Sequence, residues 1–322
     1  MTTRIRIGIL GAAGIAPRAM IGPARRRDDA DVVAVAARSA ERANAYASRH
    51  GIPAAYGDYR RVIEDPSIDL VYVALAPSEH ARWSLAALEA GKDVLCEKPF
   101  AMTAAEAAEV VGVARRAGRR AFEAFHDEHH PLWARTREIA AQLGPIRRVE
   151  GEFLVNNPYE PGAIRHEPEL GGGALMDLGC YPLHWVRSLV GEEPTVASAG
   201  FEPNPAGVDD SITAEMTFPS GVTARIDASM RHDGFDDRRR VVGERGTLEE
   251  GGVVFPSRGH SLTWTLDGVD FQETVGGRQS YDHQLEAVLQ AIRSGDPLST
   301  EGDDIIANMR AIEEIYRVAG VR

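Results

Sequence analysis

Through the first 120 or so positions, short apolar runs alternate with stretches of helical period. Residues 4–10, 31–36, 70–74, 93–96 and 120–124 read as buried strands. Helices are predicted from the end of the turn 11–16 to about residue 27, and over 40–50, 59–64, 79–90 and 103–117, the last opened by a Thr103/Glu106 capping box. Short strands separated by helices imply a parallel, doubly wound sheet. Past residue 124 the period changes. A helix over 132–143 leads into an alternating strand at 146–155, and the glycine-rich stretch 171–191 reads as a loop feeding one helix. Strand-like segments follow at 195–201, 211–218, 222–230, 238–243, 247–250 and 261–266, with turns between them and no helices. That succession predicts a large, open, mostly antiparallel sheet. Helices over 281–294 and 303–319 close the chain. Two closely packed domains are expected, 1–123 and 124–322, with no repeat and no linker.

A chain of 322 residues is long enough for two cores. No run of about 18 apolar residues is present, and the first residues carry no signal-peptide pattern. A cytoplasmic protein without a membrane span is expected. The net charge of −12 argues against nucleic acid as a partner. Two cysteines, Cys96 and Cys180, make no disulfide framework. Of the 36 Lys and Arg residues, only Lys92 and Lys98 are lysine. Lysine can shift its pKa or share a proton where arginine effectively cannot, so Lys98, beside a motif, draws attention.

Three motifs carry chemistry. The first, Gly8-Ile-Leu-Gly11-Ala-Ala13-Gly14-Ile15-Ala16, lies between the first strand and its helix. Glycines there let the backbone turn tightly toward a pyrophosphate, and the helix start supplies N–H donors. Ala13 stands where a second glycine is usual. The tip of the second strand, Ala36-Ala37-Arg38-Ser39, has an arginine and no carboxylate. Arg38, with Ser39 and Arg42, suits the 2′-phosphate of NADP better than the bare ribose of NAD. The second motif, Glu97-Lys98-Pro99, follows the fourth strand, where ligands of open α/β sheets bind. The third, 171–184, would set Asp177, Tyr181 and His184 along one helical face, a carboxylate, a phenol and an imidazole. A lysine near a tyrosine favours the phenolate and makes the phenol a better proton relay.

Taken together, these segments resemble the Gfo/Idh/MocA family of sugar oxidoreductases nearly end to end, including EAGKDVLCEKPF at 89–100, LGGGALMDLGCY at 170–181, GERGTLE at 243–249 and the tail 280–297. The resemblance implies an N-terminal Rossmann domain and a C-terminal α/β domain whose open sheet often makes homodimer or homotetramer contacts. It implies that Lys98 is the catalytic lysine, that Asp177 positions substrate, and that Tyr181 stands where some members have histidine. Tyrosine-type members include dihydrodiol dehydrogenases, xylose dehydrogenases and ketosugar reductases, and often use NADP. The expected reaction moves a hydride between nicotinamide C4 and a sugar, ketosugar or cyclic polyol, with Lys98 and Tyr181 in proton transfer. Ala76, His80 and Glu97 are expected beside the cofactor, and Arg165, His166 and His184 beside the substrate. Two departures stand out. Ala76-Pro77 replaces a usual Pro-Asn, and Glu128 stands where relatives often have arginine. The histidines at 126, 129 and 130 are not expected to bind a metal, because adjacent side chains rarely converge. Alternative readings are an NADP-dependent aryl dihydrodiol dehydrogenase and a non-catalytic cofactor-binding sensor.

Overall fold

The computed structural model describes residues 4–321. The chain forms two units, one running to Phe125 and taking in Tyr281–Ile306, the other made of His126–Ser280 and the tail from Ala307.

In the first unit, β1 (Ile5–Leu10), β2 (Ala30–Ala36), β3 (Ala54–Tyr56), β4 (Leu70–Val73), β5 (Asp93–Cys96) and β6 (Ala121–Glu123) form a parallel sheet in the order 3-2-1-4-5-6. Every residue of β4 and β5 is buried, as befits a sheet covered on both faces. The strand order reverses between β1 and β4, and a doubly wound sheet binds ligands outside the carboxyl ends at that point. The loops after Leu10, Val73 and Cys96 start there. The sequence reading misses β3, which is only three half-buried residues at the sheet edge. Thr103 caps its helix by accepting Glu106 N at 3.1 Å, while the Glu106 carboxylate reaches back to Met102 N at 2.9 Å, one residue before the N-cap. Lys92 is buried, and its Nζ donates to the carbonyls of Asp65 at 2.8 Å and Ile68 at 2.7 Å. A compact ammonium serves this spot better than a planar guanidinium.

The division differs from the expected 1–123 and 124–322 because Tyr281–Ile306 finds its partners in the first unit. Arg26 Nε donates to Asp282 Oδ1 at 2.9 Å, Arg293 Nη1 to Asp29 Oδ2 at 2.7 Å, and Arg120 Nε to Glu301 Oε2 at 3.0 Å. These contacts span 181 to 264 residues of chain, so no local pattern announces them.

In the second unit, eight strands lie in the order 14-13-12-11-7-10-9-8: β7 (Ile146–Asn156), β8 (Thr195–Pro203), β9 (Asp209–Thr217), β10 (Thr223–Ser229), β11 (Arg231–Gly243), β12 (Gly246–Gly251), β13 (Ser261–Leu266) and β14 (Val269–Glu273). Neighbours are antiparallel except β7 and β10. Burial alternates along β9 and β10, the mark of a sheet with one covered face. The other face carries a lattice of charge, with Arg148 Nε on Glu150 at 2.7 Å, Arg148 Nη2 on Glu215 at 3.2 Å, and Arg225 Nε on Asp227 at 2.7 Å. On the covered face lies the helix Cys180–Val190, so close that a Cβ on Gly151 would sit 2.8 Å from Pro182 Cβ. The sequence reading misses β14, whose residues are nearly all exposed and carry no buried alternation. No helix among the described residues is long and apolar enough to cross a membrane.

Candidate active site

The candidate residues fall into clusters within each unit. In the first, Gly11 ends β1 with φ +107°, a conformation that favours glycine. Its N–H donates to Ala36 O at 2.9 Å, and a Cβ there would lie 2.2 Å from Ala74 O. Ala16 N bonds back to Ala13 O at 3.3 Å, leaving residues 12–15 as the outer arc of the turn. That arc is held from behind. Tyr46 OH donates to Ala13 O at 2.8 Å and Arg42 Nη2 to Ala12 O at 3.3 Å. Burial pushes the Tyr46 phenol up to about 12, so it stays a donor. Gly14 is exposed, with open space where its Cβ would stand. Beyond the turn, Pro17–Ile21 and Gly22–Arg25 continue as helix. The arrangement fits a dinucleotide pyrophosphate.

At the tip of β2, Arg38 is exposed. Ser39 caps the next helix by accepting Arg42 N at 3.2 Å. Arg38 and Arg42 both act on Tyr59, whose phenol burial pushes up while the two guanidinium groups draw it down. Two cations at this tip suit a phosphate. Arg42 also braces the glycine turn.

The turn after β5 is held from several sides. Tyr72, fully buried on β4, donates its hydroxyl to Glu97 Oε1. Phe100 N donates to Glu123 Oε1 at 2.9 Å. The Lys98–Pro99 peptide is cis, and the Pro99 carbonyl lies 2.8 Å from His80 Nδ1. His80 Nε2 is 3.1 Å from Leu75 O. Burial, with Lys98 adding to it, lowers the His80 pKa to about 4, against the pull of the two carbonyls, so the ring is neutral. This corrects the expectation for His80. It is 1% exposed and packed between the Lys98 turn and the loop after β4, where the neutral ring donates to one of the two carbonyls, so it faces the interior rather than a cofactor. Ala76 is the N-cap of the helix Pro77–Glu89 and makes no side-chain cap hydrogen bond, and Pro77 stands where the family resemblance places a side-chain amide.

In the second unit, the stretch expected as a loop is already coiled. Leu175–Gly179 is a π-helix running straight into Cys180–Val190. Asp177 lies in the wide turn and accepts Arg165 Nε at 2.7 Å. Tyr181 is 4% exposed, in a nest of rings: Phe153 at 5.7 Å, His126 at 5.9 Å and Trp185 at 6.3 Å between centroids. Phe255 stacks on His126 at 5.4 Å, and Phe235, 55% exposed, packs on Phe153 and Phe255.

His184 and His166 depart from expectation. His184 is 1% exposed and its Nε2 lies 3.4 Å from Glu128 Oε2, so it faces a buried carboxylate, not a substrate. Glu128 is thus buried with its Oε2 near the His184 ring. His166 is also buried, its ring edge-on to Tyr159 at 5.4 Å. His126 Nδ1 lies 2.8 Å from Ser280 Oγ. Among the described residues, no group of three or more His, Cys, Asp or Glu is placed to hold a metal.

Beside His184 lies a buried polar network. Trp185 Nε1 donates to Asp127 Oδ2 at 2.7 Å, and burial raises the Asp127 carboxyl to about 6. Arg239 Nε donates to Glu250 Oε2 at 2.8 Å, Thr136 donates to Glu250 Oε1, and the guanidinium lies over the rings of Trp133 and Trp185 at 4.7 and 5.2 Å.

The family model described as "Oxidoreductase family, NAD-binding Rossmann fold" matches residues 5–125, and that of the GFO/IDH/MocA C-terminal domain matches 133–249. The D-xylose 1-dehydrogenase (NADP(+)) 2 of Haloferax volcanii is 35% identical over 97% of this chain and 96% of its own. The chain belongs to the GFO/IDH/MocA oxidoreductase family. Another relative in sequence is the trans-1,2-dihydrobenzene-1,2-diol dehydrogenase of Xenopus tropicalis, 30% identical over 91% of each chain. Among solved structures, a 3-ketoreductase from Actinomadura kijaniata in complex with NADP and TDP-benzene superposes with a TM-score of 0.90, 27% identity and 98% of both chains covered.

For this GFO/IDH/MocA oxidoreductase, the sequence reading misses the residues that hold the candidate loops in place. Tyr46, Tyr72 and Glu123 brace the cofactor-end loops, yet each sits in an ordinary helix or strand pattern with no motif to mark it. Asp127 and Arg239 carry the one available signal, a charge inside an otherwise buried pattern.

Proposed function

We propose that this chain is an NADP-dependent oxidoreductase that interconverts a hydroxyl and a carbonyl on a sugar, ketosugar or cyclic polyol. The observation that carries the reading is the Lys98 turn, a lysine at the carboxyl end of β5 on a loop braced by Tyr72, His80 and Glu123. The names of the relatives support it, one specifying NADP(+) and one solved with NADP. Gly11, Ala13, Gly14, Ile15 and Ala16 would carry the pyrophosphate, Arg38, Ser39 and Arg42 the 2′-phosphate, and Ala76 and Glu97 the remaining flank. The bound cofactor supplies or takes up the hydride. Tyr181 passes a proton to or from the substrate oxygen, and the Lys98 ammonium donates a hydrogen bond to that oxygen and favours the phenolate. Asp177 accepts from a neighbouring substrate hydroxyl.

The test is turnover and cofactor binding measured side by side on Lys98→Ala and Tyr181→Phe. Each loses on the order of a hundredfold or more in turnover with NADPH binding kept. Near-normal rates in both overturn the mechanism, and failure of the folded wild type to bind NADPH or NADH overturns the whole reading in favour of a protein that does no redox chemistry. A second substrate class, aryl or other apolar cyclic diols, is favoured by the wall of Phe153, Phe235 and Phe255 beside Tyr181. The charged open face of the eight-stranded sheet is the surface proposed for a homodimer or homotetramer. Cys96 and Cys180 are buried with no disulfide between them, which suits a reducing cytoplasm.

A further inference from the structure

The ion pair of Arg165 and Asp177 is poorly explained by stability. The two side chains are 57% and 21% exposed, and such pairs contribute about 0–1 kcal/mol. Yet both ends are mounted rigidly. Gly173 N donates to Arg165 O at 2.9 Å. A Cβ on Gly172 would lie 2.7 Å from that oxygen and 2.8 Å from Glu167 N, so only glycine lets the two segments touch. On the other side, Leu175 N donates to the buried Asp209 Oδ2 at 2.7 Å, and Tyr316 OH donates to Asp209 Oδ1 at 2.9 Å. The backbone that carries Arg165 and the turn that carries Asp177 are thus pinned to each other and to the interior of the same unit. The described hydrogen bond to the carboxylate uses Nε, and the arginine side chain is 57% exposed.

We propose that Arg165 and Asp177 act as one clamp for two adjacent substrate oxygens, an inference that rests on the reading of this chain as a sugar or polyol oxidoreductase. The carboxylate accepts from one hydroxyl, and the guanidinium Nη donates to the oxygen on the next carbon. The pair therefore selects a vicinal diol or α-hydroxy carbonyl over a compound with one oxygen, and Arg165 sets that selectivity. Holding both groups in place before substrate arrives lowers the ordering cost of recognition.

The test compares wild type, Arg165→Ala and Arg165→Lys with NADP on matched probes: D-xylose and D-glucose, 2-deoxy-D-glucose, trans-1,2-cyclohexanediol and cyclohexanol. Wild type favours the doubly oxygenated member of a pair by about tenfold or more in kcat/KM, a gap of ~1.4 kcal/mol. Arg165→Ala brings the ratio to within about threefold, mainly by raising KM for the diol, with thermal unfolding and NADPH affinity unchanged. Arg165→Lys restores only part of the preference, since an ammonium is a point charge and not a planar fork. Unchanged discrimination in Arg165→Ala overturns the clamp while leaving the oxidoreductase reading intact. A wild type that binds NADPH yet turns over no probe overturns both.

Discussion

Replacing Arg239 by leucine removes the only cation hydrogen-bonded to Glu250 among the described contacts of that carboxylate. The two side chains are 2% and 0% exposed and meet at 2.8 Å, so Glu250 has no route to water when the guanidinium is gone. Thr136 still donates to its Oε1, but a hydroxyl does not neutralise a buried carboxylate. Breaking such a pair costs about 3–5 kcal/mol. The cation lost from the faces of Trp133 and Trp185 adds about 0.5–2 kcal/mol. Asp127 also loses the guanidinium that draws its raised carboxyl down. The expected loss is about 4 kcal/mol, or roughly 10 °C in Tm for a unit of this size. The assay is calorimetric or circular-dichroism unfolding at pH 7.5, with tryptophan emission as a local report from the two stacked indoles. Arg239→Leu combined with Glu250→Leu recovers most of the loss, because removing both charges removes the desolvation cost as well. A single variant within about 1 kcal/mol of wild type, or a double variant less stable than the single, refutes the reasoning.

Other outcomes follow from the same geometry. Asp127 is raised to about 6 by burial from an unfolded value near ~3.9, so its contribution to stability is full below about pH 4 and is lost as pH rises through about 6. Asp127→Asn therefore raises Tm at pH 8 and loses that advantage at pH 4.5, with Trp185 Nε1 still finding an oxygen; an equal shift at both pH values contradicts the assignment. The opposite sign holds for His80, lowered to about 4, whose contribution is present above about pH 6.5 and is lost as pH falls toward 4. His80→Gln should flatten that acid limb in unfolding curves. Gly11→Ala forces a side chain into φ +107° and onto the Ala74 carbonyl, costing about 1–3 kcal/mol for the backbone alone, and NADPH titration should find binding lost. Arg38→Ala weakens NADPH by about tenfold or more and leaves NADH unchanged; equal weakening of both would remove the 2′-phosphate role.

Local pattern made the frame of both units legible. Continuous apolar runs such as Leu70–Val73 can only be central strands, and the alternation through β9 and β10 can only be a half-covered sheet. What escaped was set by contacts distant in sequence. His184 keeps its place three residues after Tyr181 in the helix Cys180–Val190, but the 126–129 turn buries its ring against Glu128, and the π-turn just upstream changes the winding between Asp177 and Tyr181. Tyr281–Ile306 reads as the end of the second domain because nothing local marks Asp29, Arg26 and Arg120 as its partners. The edge strands β3 and β14 lack the buried residues that make a strand visible.

The sealed position of Lys92 has a practical consequence. Its ammonium is enclosed and spent on two carbonyls, and the only other lysine is Lys98. An amine-directed reagent applied to the folded protein therefore has one lysine side chain to find. Acylation or reductive alkylation, mapped by peptide mass so that the α-amino group is told apart, then reports on the Lys98 turn independently of any knowledge of the substrate.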